Sequence, residues 1–588
     1  MEGTLIVNRS DYSKISLSTD TEIIDIDIDT KKFKAFHGDI VRVIDNNVVN
    51  IKEQLSPHRS GLLAGILDIT SIRRYGFNKR GTPIYLWKPF KGEIPPFYVA
   101  SNIRKSMKEP YKNVYCIIRY NEWMRERPTG VQIRVIGDVD DDNATTMYLQ
   151  YCYGLYHRKY RFPKSFKMPE VGCFLEDIHA CDDIIFSVDP EGTLDIDDAF
   201  SIKECDGGYE VGIFIADPTN IIDKTMEMGS TDLLDDIIKR GLTLYTKYEN
   251  FPMMPDCVST NLASLLKGEP RSSLSVHLRF YKNGTLKDYF DIRHSVIRNS
   301  RNYTYEEVDK IVNKGKIGKN VYKLYELSKG IAKNNIPLLA CKKWDSHIMV
   351  EVMMVLVNKC VAEYLYKSVP GRVILRSHSG INSDIKDVPE GIRNRIRIMN
   401  SSSAKYTTEY SYHSGLGIQC YTHYTSPIRR IIDLYTHYLI KEVKFGIRMP
   451  EQMRMLPYDL STINKRVSAS KRYEYTLNKL YIYRELKELL HNCDTVTGYI
   501  VELGDNISRI YVERYNIVLS HNIIHPDIKD LYIFSLNYDH MGNIHRLMYE
   551  REDGLEPQYT LELYKKYNIK MVAVSSDRIR DRIRFEYI

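Results

Sequence analysis

The amino-acid sequence predicts an α+β fold in which β-rich ends flank a mixed and then helical middle. Short runs separated by turn signals fill residues 1–170, as in TEIIDIDIDT at 21–30, where apolar and acidic residues alternate as in a half-buried strand. Helical periodicity dominates residues 304–490, and short strand-like runs return from 491 onwards. The β-rich start predicts two small β-barrels, because several short strands at close spacing are typical of that architecture.

The composition predicts a folded protein of several domains. A chain of 588 residues has room for roughly three to five domains with cores of their own. Hydrophobic residues make up 43% and charged residues 27%, which excludes a disordered chain. The net charge of +7 is too small to indicate a polyanionic partner by itself, so a nucleic-acid site has to be argued from local features.

No segment predicts export or insertion into a membrane. The ten cysteines include no CxxC pair, which argues against a zinc ribbon or a disulfide scaffold and favours a reducing compartment. The start, MEGTLIVNRSDYSK, has neither the layout of a secretory signal nor that of a transit peptide. The longest apolar run, at 348–357, is about half a membrane span and contains Glu351. We expect a cytoplasmic, monomeric protein without membrane contact.

The N-terminal β-rich region contains a basic, aromatic hairpin. The stretch IRRYGFNKRGTPIY at 72–85 places four cations around two aromatic rings near a glycine turn. Single-stranded nucleic acid needs such a surface, because rings stack on bases and cations follow the phosphates. An exposed hairpin without a ligand explains the stretch equally well. Arg73, Arg74 and Tyr75 are therefore candidate RNA-binding residues.

The stretch SVDPEGTLDIDDAF at 187–200 crowds four aspartates between two apolar segments, namely Asp189, Asp195, Asp197 and Asp198. Two carboxylates about 4 Å apart repel each other by roughly 4 kcal/mol at an effective dielectric constant of about 20. A close cluster therefore needs protonation or a bound cation. Oxygen ligands favour Mg²⁺ or Mn²⁺ over zinc or copper. The stretch predicts a Mg²⁺ site for phosphoryl transfer, with a structural surface turn as the alternative.

Two other uses of this acidic stretch fit less well. Counted from Asp195, the glycine position of a calcium-binding EF-hand loop is occupied by Phe200. The DIDD string also matches the DxDD acid of some terpene cyclases, but those proteins are helical throughout. The flanks of this stretch are strand-like, which argues against a cyclase.

A second constellation lies in YTHYTSPIRRIIDLYTHYL at 421–439. Ser426 is a typical helix N-cap, and Pro427 is typical of the first helical position. Arg429 is then expected in the first helical turn, where free N–H groups and the helix dipole favour an anion. A cation at that end is unfavourable unless an anion such as phosphate is bound there. The alternative is an ordinary capped helix whose arginine reaches into solvent.

Glu351 is predicted to be a carboxylate on a buried helix. In HIMVEVMMVLVNKC, the residues one turn away from Glu351 are mostly apolar, so no polar helix face is available to it. A buried carboxylate needs a cation or hydrogen-bond donors. A functional role and a structural ion pair explain this residue equally well.

These stretches resemble the RNB catalytic domain of the RNase II and RNase R family, which includes the eukaryotic exosome exonuclease. Asp189 followed by DIDDA at 195–199 matches each position of the family's aspartate motif. The segments VGIFIADPTN, RGLTLY with FPMMP, YTYEEVDKI and MVEVMMVLVNKCVA resemble later family segments in the same order. The stretch GLGIQCYTHYTSPIRRIIDL at 415–434 is close to a complete family signature. The resemblance covers roughly residues 183–446.

The resemblance implies hydrolytic 3′-to-5′ degradation of single-stranded RNA to nucleoside 5′-monophosphates. Two Mg²⁺ ions, or Mn²⁺, would be held by Asp189, Asp195, Asp197 and Asp198. Asp197 matches a position that is indispensable for catalysis, in a role left open.

The same resemblance implies roles for four further side chains. Arg429 would hold the scissile phosphate and stabilise its transition-state charge. Tyr305 and Glu351 would contact the ribose near the 3′ end, where the 2′-hydroxyl distinguishes RNA from DNA. Tyr245 would stack near the terminal base.

The family's domain plan implies OB folds on both sides of the catalytic domain. We expect a first cold-shock-like OB fold at 1–90, a second at 91–180, the RNB catalytic domain at 181–490 and a C-terminal RNA-binding OB fold at 491–588. The alternative function is that of an RNB-like RNA-binding protein whose catalytic centre has decayed. The complete aspartate set together with Tyr305, Glu351 and Arg429 argues against decay.

Overall fold

The computed structural model describes residues 2–8, 12, 14–19, 21–26, 34–44, 47–71, 73, 75–103, 112–160, 172, 175, 179–229, 232–247, 249–314, 319–340, 342–380, 388–400, 402–504, 507–523, 532–538, 544–552, 559–576 and 579–588. It divides into two compact units, the first formed by Met1–Tyr156 with Ala469–Ile588 and the second by His157–Ser468. No helix in the described ranges is long and apolar enough to cross a bilayer.

The N-terminal part of the first unit contains a sheet and a barrel. Five strands, β1 (Glu2–Val7), β2 (Ile15–Ser18), β3 (Ile23–Ile26), β4 (Ile40–Ile44) and β5 (Asn47–Glu53), form a sheet in the order β3-β2-β1-β4-β5. After helix α1 (Pro57–Ser60), strands β6 (Leu62–Asp68), β7 (Ile84–Pro89), β8 (Phe97–Ala100), β9 (Val114–Glu122) and β10 (Thr129–Asp138) close a barrel in the order β10-β8-β7-β6-β9. Helix α2 (Asp142–Cys152) follows the barrel.

The expected boundary between the two N-terminal barrels at residue 90 is wrong. Strands β6 and β7 belong to the second structure, because Leu67 and Trp87 share one buried cluster with Val99 of β8. The first β structure therefore ends at Glu53, and the second begins at Leu62. Apolar alternation identifies strands in a sequence, but it does not tell which strands pair.

The second unit is built on a six-stranded sheet. Its strands are β11 (His179–Ala180), β12 (Ile185–Asp189), β13 (Asp198–Cys205), β14 (Gly208–Ala216), β15 (Pro270–Tyr281) and β16 (Leu286–Thr304). Their order is β11-β16-β12-β13-β14-β15, with β15 also paired to β16. The two-residue Asp206-Gly207 turn joins β13 to β14, and Gly207 has the positive φ of 71° that such hairpin turns require.

Helices make up most of the rest of the second unit. They are α3 (Thr219–Glu227), α4 (Leu233–Arg240), α5 (Tyr305–Asn313), α6 (Asn320–Asn335), α7 (Pro337–Ala340), α8 (Ser346–Ser368), α9 (Glu390–Asn400), α10 (Ile431–Phe445), α11 (Glu451–Arg454) and the first part of α12 (Leu460–Glu488), with a π-helical turn at Val258–Leu262 and a 3-10 turn at Leu456–Asp459. Two small pairs of strands lie among the helices, β17 (Leu375–Ser377) with β18 (Lys405–Thr407), and β19 (Tyr412–His413) with β20 (Ile418–Gln419).

The C-terminal part of the first unit is again β-rich. Its strands are β21 (Cys493–Leu503), β22 (Ile507–Val512), β23 (Ile517–Asn522), β24 (Tyr532–Tyr538), β25 (Ile544–Arg551), β26 (Tyr559–Glu562), β27 (Lys566–Ala573) and β28 (Ile583–Tyr587), with 3-10 turns at Leu490–Asn492 and Ile579–Asp581. They form one sheet in the order β23-β22-β21-β27-β28 and another in the order β24-β25-β26. The predicted α+β class with β-rich, OB-like ends is confirmed.

The core of the second unit is apolar and is shared by helix α8 and the sheet. Ile213 of β14 belongs to the same buried cluster as Val352 and Leu356 of α8. Helix α8 has buried residues on most of its surface, which is typical of a helix largely enclosed by protein. The sheet edge that carries the aspartates is therefore supported by a closely packed interior.

A buried ion pair joins the end of β14 to helix α10. The Asp217 carboxylate is fully buried and lies 2.6 Å from Nζ of Lys441. His294 of β16 and His437 of α10 lie 3.1 Å and 3.5 Å from the same carboxylate. Burial acts to raise the pKa of Asp217, but Lys441 and the two histidines hold that pKa well below its usual value. The side chain is therefore ionised, and its charge depends on these partners.

We expect Lys441→Met to lower the free energy of unfolding by about 3–5 kcal/mol, because Asp217 would remain as a buried charge without its cation. Adding Asp217→Asn should restore part of that loss. Urea unfolding measures both effects. The matched control is Lys239→Met, since Lys239 is 68% exposed and its ion pair with Asp236 is loose, so a change within about 0.5 kcal/mol is expected there. An equally small effect at Lys441 would contradict the role given to this ion pair.

Candidate active site

A cavity of about 630 Å³ lies in the second unit, beside the end of β12 and the start of β13. It brings together most of the residues that the sequence predicted for catalysis. The predicted side chains that line it are Asp189, Asp195, Asp197, Asp198, Tyr245, Tyr305 and Arg429. The four aspartates, the arginine and two of the predicted aromatic residues therefore share one site.

Strand register explains why Asp189 and Tyr305 meet. Strand β12 runs parallel to β16, and Asp189 is paired with Thr304. Thr304 is the N-cap of helix α5 and forms a capping box with Glu307, so Tyr305 becomes the first helical residue. The Tyr305 side chain is consequently held next to the end of the strand that carries Asp189.

The loop between β12 and β13 is held by hydrogen bonds to its backbone. The hydroxyl of Ser264 donates to the carbonyl of Leu194 and accepts from the N–H of Ile196. The N–H of Ala216, at the end of β14, donates to the carbonyl of Asp197. These contacts orient the acidic loop before any ligand binds. Nothing in the spacing of the sequence indicated Ser264.

Asp197 is buried and both of its carboxylate oxygens are occupied. Oδ2 accepts from Nε of Arg429 at 3.0 Å, and Oδ1 accepts from the N–H of Ile428 at 3.2 Å. Burial raises the pKa of Asp197 to about 7, although Arg429 and the Ile428 N–H act in the opposite direction. Nη2 of Arg429 also donates to the Ser426 hydroxyl at 2.8 Å. Asp197 therefore orients Arg429, whose side chain remains 41% exposed.

Asp189 and Asp198 each have a buried oxygen without a partner. In both cases Oδ2 lacks a hydrogen-bond donor among the described residues. Burial raises the pKa of Asp189 to about 6, and the charge of Asp195 acts in the same direction. Burial also raises the pKa of Asp198 well above its usual value, with further contributions from Asp189 and Asp197. Ionisation of these carboxyl groups is therefore unfavourable unless a cation is bound beside them.

The donor set fits a divalent cation in its chemistry. A hard cation would satisfy the two orphaned oxygens and offset both the burial and the repulsion that raise the two pKa values. Asp195 offers a third carboxylate, and its Oδ2 accepts from the Tyr245 hydroxyl at 2.6 Å. As placed, however, no three His, Cys, Asp or Glu side chains in the described ranges are arranged to hold one metal ion.

The predicted helix start at Ser426–Pro427 is wrong. Helix α10 begins at Ile431 with Arg430 as its N-cap. The N–H of Thr243 donates to the carbonyl of Arg429, and the N–H of Ile431 donates to the carbonyl of Gly241, which holds this segment outside the helix. Arg429 therefore lies in a turn before the helix. Its position is set by Asp197 rather than by the first helical turn.

The predicted burial of Glu351 is also wrong. The Glu351 side chain is 38% exposed, binds Nζ of Lys342 at 2.7 Å and is not among the residues that line the cavity. His347, one turn earlier on α8, stacks on the ring of Tyr305 with a centroid distance of 3.8 Å. Glu351 thus lies on the helix face that carries the Tyr305 contact, and its role in ribose recognition stays a prediction.

Tyr245 lines the cavity with its side chain 39% exposed. Burial of the hydroxyl and its hydrogen bond to Asp195 raise the pKa of Tyr245 above its usual value. The ring has the exposure that base stacking requires, and that role stays a prediction.

The N-terminal RNA-binding candidates lie in the first unit. Phe77 and Pro83 form an antiparallel bridge, so the predicted hairpin is present. The Arg73 guanidinium lies 5.4 Å from the centroid of the Tyr75 ring, and Tyr75 packs against Tyr98. Arg74 lies outside the described residues. The contact of a cation with an aromatic ring is consistent with the predicted surface, and RNA binding there stays a prediction.

Comparison with known proteins gives a family match for the central part of the chain. Residues 179–446 match the family model of the RNB domain, and the resemblance seen in the motifs is confirmed. Ribonuclease R of Chlamydia trachomatis serovar D is 28% identical over 317 residues, which are 44% of this chain and 45% of that protein. The match thus spans about half the length of this curated relative.

Two solved structures are similar over most of the chain. Mycoplasma genitalium RNase R in complex with ribose methylated single-stranded RNA has a TM-score of 0.74 at 15% identity, with all of both chains covered. Yeast Ssd1, described as a pseudonuclease, has a TM-score of 0.67 at 17% identity, with 94% of this chain and 81% of that chain covered. At these identities the likeness shows the fold.

We expect Asp198→Asn to stabilise the protein in metal-free buffer, and more at pH 8 than at pH 5. A carboxyl whose pKa is raised by folding favours the folded state at low pH, and this contribution is lost as the pH rises through the raised value. The neutral amide of asparagine does not ionise, so the variant keeps its stability at high pH. Thermal unfolding in EDTA at both pH values measures the difference, as an increase in Tm of a few degrees at pH 8.

Asp256→Asn is the matched control, because Asp256 lines the same cavity but is exposed to solvent. Its Tm should follow that of the wild type at both pH values. A lower Tm of Asp198→Asn at pH 8 would show that the carboxylate is stabilised when ionised, contrary to the geometry.

Proposed function

We propose that this chain is a hydrolytic exoribonuclease that shortens single-stranded RNA from its 3′ end and releases nucleoside 5′-monophosphates. The observation that carries the proposal is the placement of Arg429. Its guanidinium is oriented by Asp197 and lines a cavity in which Asp189 and Asp198 have unsatisfied oxygens. A cation for phosphate beside carboxylates for metal is the arrangement that phosphodiester hydrolysis requires.

Arg429 is suited to bind the scissile phosphate. Nε of Arg429 donates to Asp197, and one N–H of its Nη2 donates to Ser426. The remaining N–H groups of the guanidinium can therefore donate to phosphate oxygens. Because the side chain is already held on two sides, little rotamer entropy is lost when the substrate binds. The same donors stabilise the charge that develops on the phosphate in the transition state.

Asp189, Asp195 and Asp198 are the residues that we expect to hold Mg²⁺, or Mn²⁺, with two ions as the expected number. When bound, such ions lower the pKa of a coordinated water and neutralise phosphate charge. The hydroxyl of Tyr245 fixes one oxygen of Asp195 and so limits the orientations of that carboxylate. Asp197 acts through Arg429, since both of its oxygens are engaged in this structure.

Tyr305 and Tyr245 are the side chains best placed to contact the end of an RNA strand. Tyr305 is held by the His347 ring on one side and lines the cavity. Relatives support this substrate class, since the Chlamydia relative is named a ribonuclease and the Mycoplasma RNase R was solved with single-stranded RNA.

An RNA-binding protein without catalysis is the alternative, and the likeness to a yeast pseudonuclease shows that the fold alone does not decide between the two. The aspartates favour the enzyme. All four are present and line one cavity with Arg429.

We expect Asp197→Asn and Arg429→Lys each to lower kcat by about 10²–10³-fold, because both changes disturb the donor that stabilises transition-state charge. The measurement uses 5′-labelled single-stranded RNA with Mg²⁺, where the wild type should give a ladder that shortens from the 3′ end and stops in EDTA. Arg448→Lys, at an exposed position, is the control and should keep wild-type activity. Binding of RNA by the wild type without shortening would leave only the RNA-binding alternative.

We expect a DNA oligonucleotide of the same sequence to survive conditions in which the RNA is digested. The reason is the proposed contact of Tyr305 and Glu351 with the ribose 2′-hydroxyl, which DNA lacks. Tyr305→Phe and Glu351→Gln should lower the ratio of the RNA rate to the DNA rate. Tyr458→Phe, which changes an 83% exposed tyrosine, should leave the ratio unchanged. Comparable digestion of RNA and DNA by the wild type would refute this assignment.

A further inference from the structure

Arg376, in strand β17, is a buried arginine without an acceptor. The residue is only 8% exposed, and its Nη1 is buried without a hydrogen-bond partner. Within the ranges that the structure describes, its guanidinium makes no hydrogen bond and lies within 4 Å of no carboxylate. The guanidinium lies over the ring of Tyr406, 4.5 Å from the ring centroid. A cation–π contact compensates only part of the cost of burying a charge.

The surroundings add positive charge rather than removing it. Burial lowers the pKa of Arg376, and the nearby guanidinium of Arg430 acts in the same direction. Oδ1 of the Asp433 carboxylate accepts from Arg430 at 2.7 Å and from the N–H of Ser426 at 2.8 Å. Its Oδ2 is buried without a hydrogen-bond partner, but it does not come within 4 Å of the Arg376 guanidinium. The buried positive charge of Arg376 therefore has no carboxylate partner within the described residues.

The other groups near Arg376 are neutral hydrogen-bonding side chains. His413 has a buried Nδ1 without a partner, and burial lowers the pKa of this imidazole to about 4. The Tyr406 hydroxyl and Nδ1 of His423 lie 2.7 Å apart, and burial holds the pKa of His423 well below its usual value. Neutral donors around a bare guanidinium suit an anion with several oxygens.

This cluster is connected by the backbone to the segment that carries Arg429. The N–H of Arg376 donates to the carbonyl of Tyr421 at 2.7 Å, and the Thr422 hydroxyl donates to the carbonyl of Ile374. The chain then continues from 421 through the turn at 426–430. An anion bound at Arg376 would therefore lie beside the stretch of chain that leads to Arg429, but it would use different donors.

We propose that Arg376, together with His413, forms a second phosphate-binding site. The ligand is a phosphate group, and two sources have this chemistry. A phosphodiester of bound RNA would deepen the proposed function and rests on it, whereas inorganic phosphate or a mononucleotide would use the site independently of RNA.

The first experiment measures RNA affinity as a function of salt, in EDTA so that the RNA stays intact. Each phosphate contact with single-stranded nucleic acid contributes about 0.7 to the slope of log K against log salt. Arg376→Gln should therefore make the slope less negative by about 0.7 and weaken binding. The matched control is Arg372→Gln, since Arg372 is paired with Glu442 at 2.6 Å and should not alter the slope.

The second experiment measures Tm with inorganic phosphate as the ligand. A phosphate-dependent rise in the wild type that is absent in Arg376→Gln supports a site for free phosphate, even when the salt slope for RNA is unchanged. A change in slope without a response to inorganic phosphate supports the RNA phosphate as the ligand. Both results support the site, and they distinguish its two sources.

The proposal is overturned when Arg376→Gln keeps the wild-type salt slope and the wild-type response to phosphate. A lower Tm of the ligand-free variant, with salt slope and phosphate response unchanged, would assign Arg376 a structural role. If Arg376 is instead an unpaired buried charge, replacing it should leave the Tm of the ligand-free protein equal or higher. Normal RNA degradation together with both unchanged values refutes only this site. Absence of RNA binding in the wild type refutes the proposed function, and the phosphate experiment still tests the site.

Discussion

The ion pair between Asp197 and Arg429 is the contact on which the geometry of the candidate site depends. Asp197 belongs to the acidic loop before β13, and Arg429 belongs to the turn before α10, 232 positions later in the chain. The pair joins these two segments, and the Ile428 N–H adds a second bond to the same carboxylate. The contact brings the Arg429 guanidinium to the edge of a cavity that Asp189, Asp195 and Asp198 also line.

Buried charges in this protein differ in whether they have partners, and that difference separates structural from functional groups. Asp217 is surrounded by Lys441, His294 and His437, so its charge is compensated within the fold. Asp189 and Asp198 have oxygens without donors. A folded protein retains such an uncompensated group at a cost in stability, which is reasonable where a ligand supplies the missing partner.

Arg376 is likewise a buried group without a partner, but it carries a positive charge. Its buried guanidinium lies on an aromatic ring, and the neighbouring Arg430 adds a charge of the same sign. The oxygens of Asp189 and Asp198 without donors and the guanidinium of Arg376 without an acceptor would each find a partner in a metal-dependent reaction on a polynucleotide. The RNB domain match and the likeness to RNase R structures provide the fold in which the two features occur.

The sequence by itself determined the chemistry available to this protein. The spacing of Asp189, Asp195, Asp197 and Asp198 and the later Arg429 identified the residues that share one cavity, because short motifs record which functional groups a site must contain. The alternation of apolar residues likewise identified the β-rich ends, since the periodicity of a strand is local.

Only the tertiary structure decided what each of these groups contacts. Helix α10 begins at Ile431 because the preceding segment bonds to residues 241–243, and the sequence around Ser426 contains no record of that pairing. Glu351 is half-buried and pairs with Lys342, which lies before the helix in the chain. The second N-terminal barrel begins earlier than expected, because β6 and β7 pair with later strands. Local sequence allows several backbone conformations of similar free energy, and long-range pairing determines which one forms. The partners of a side chain therefore follow from the fold rather than from its neighbours in sequence.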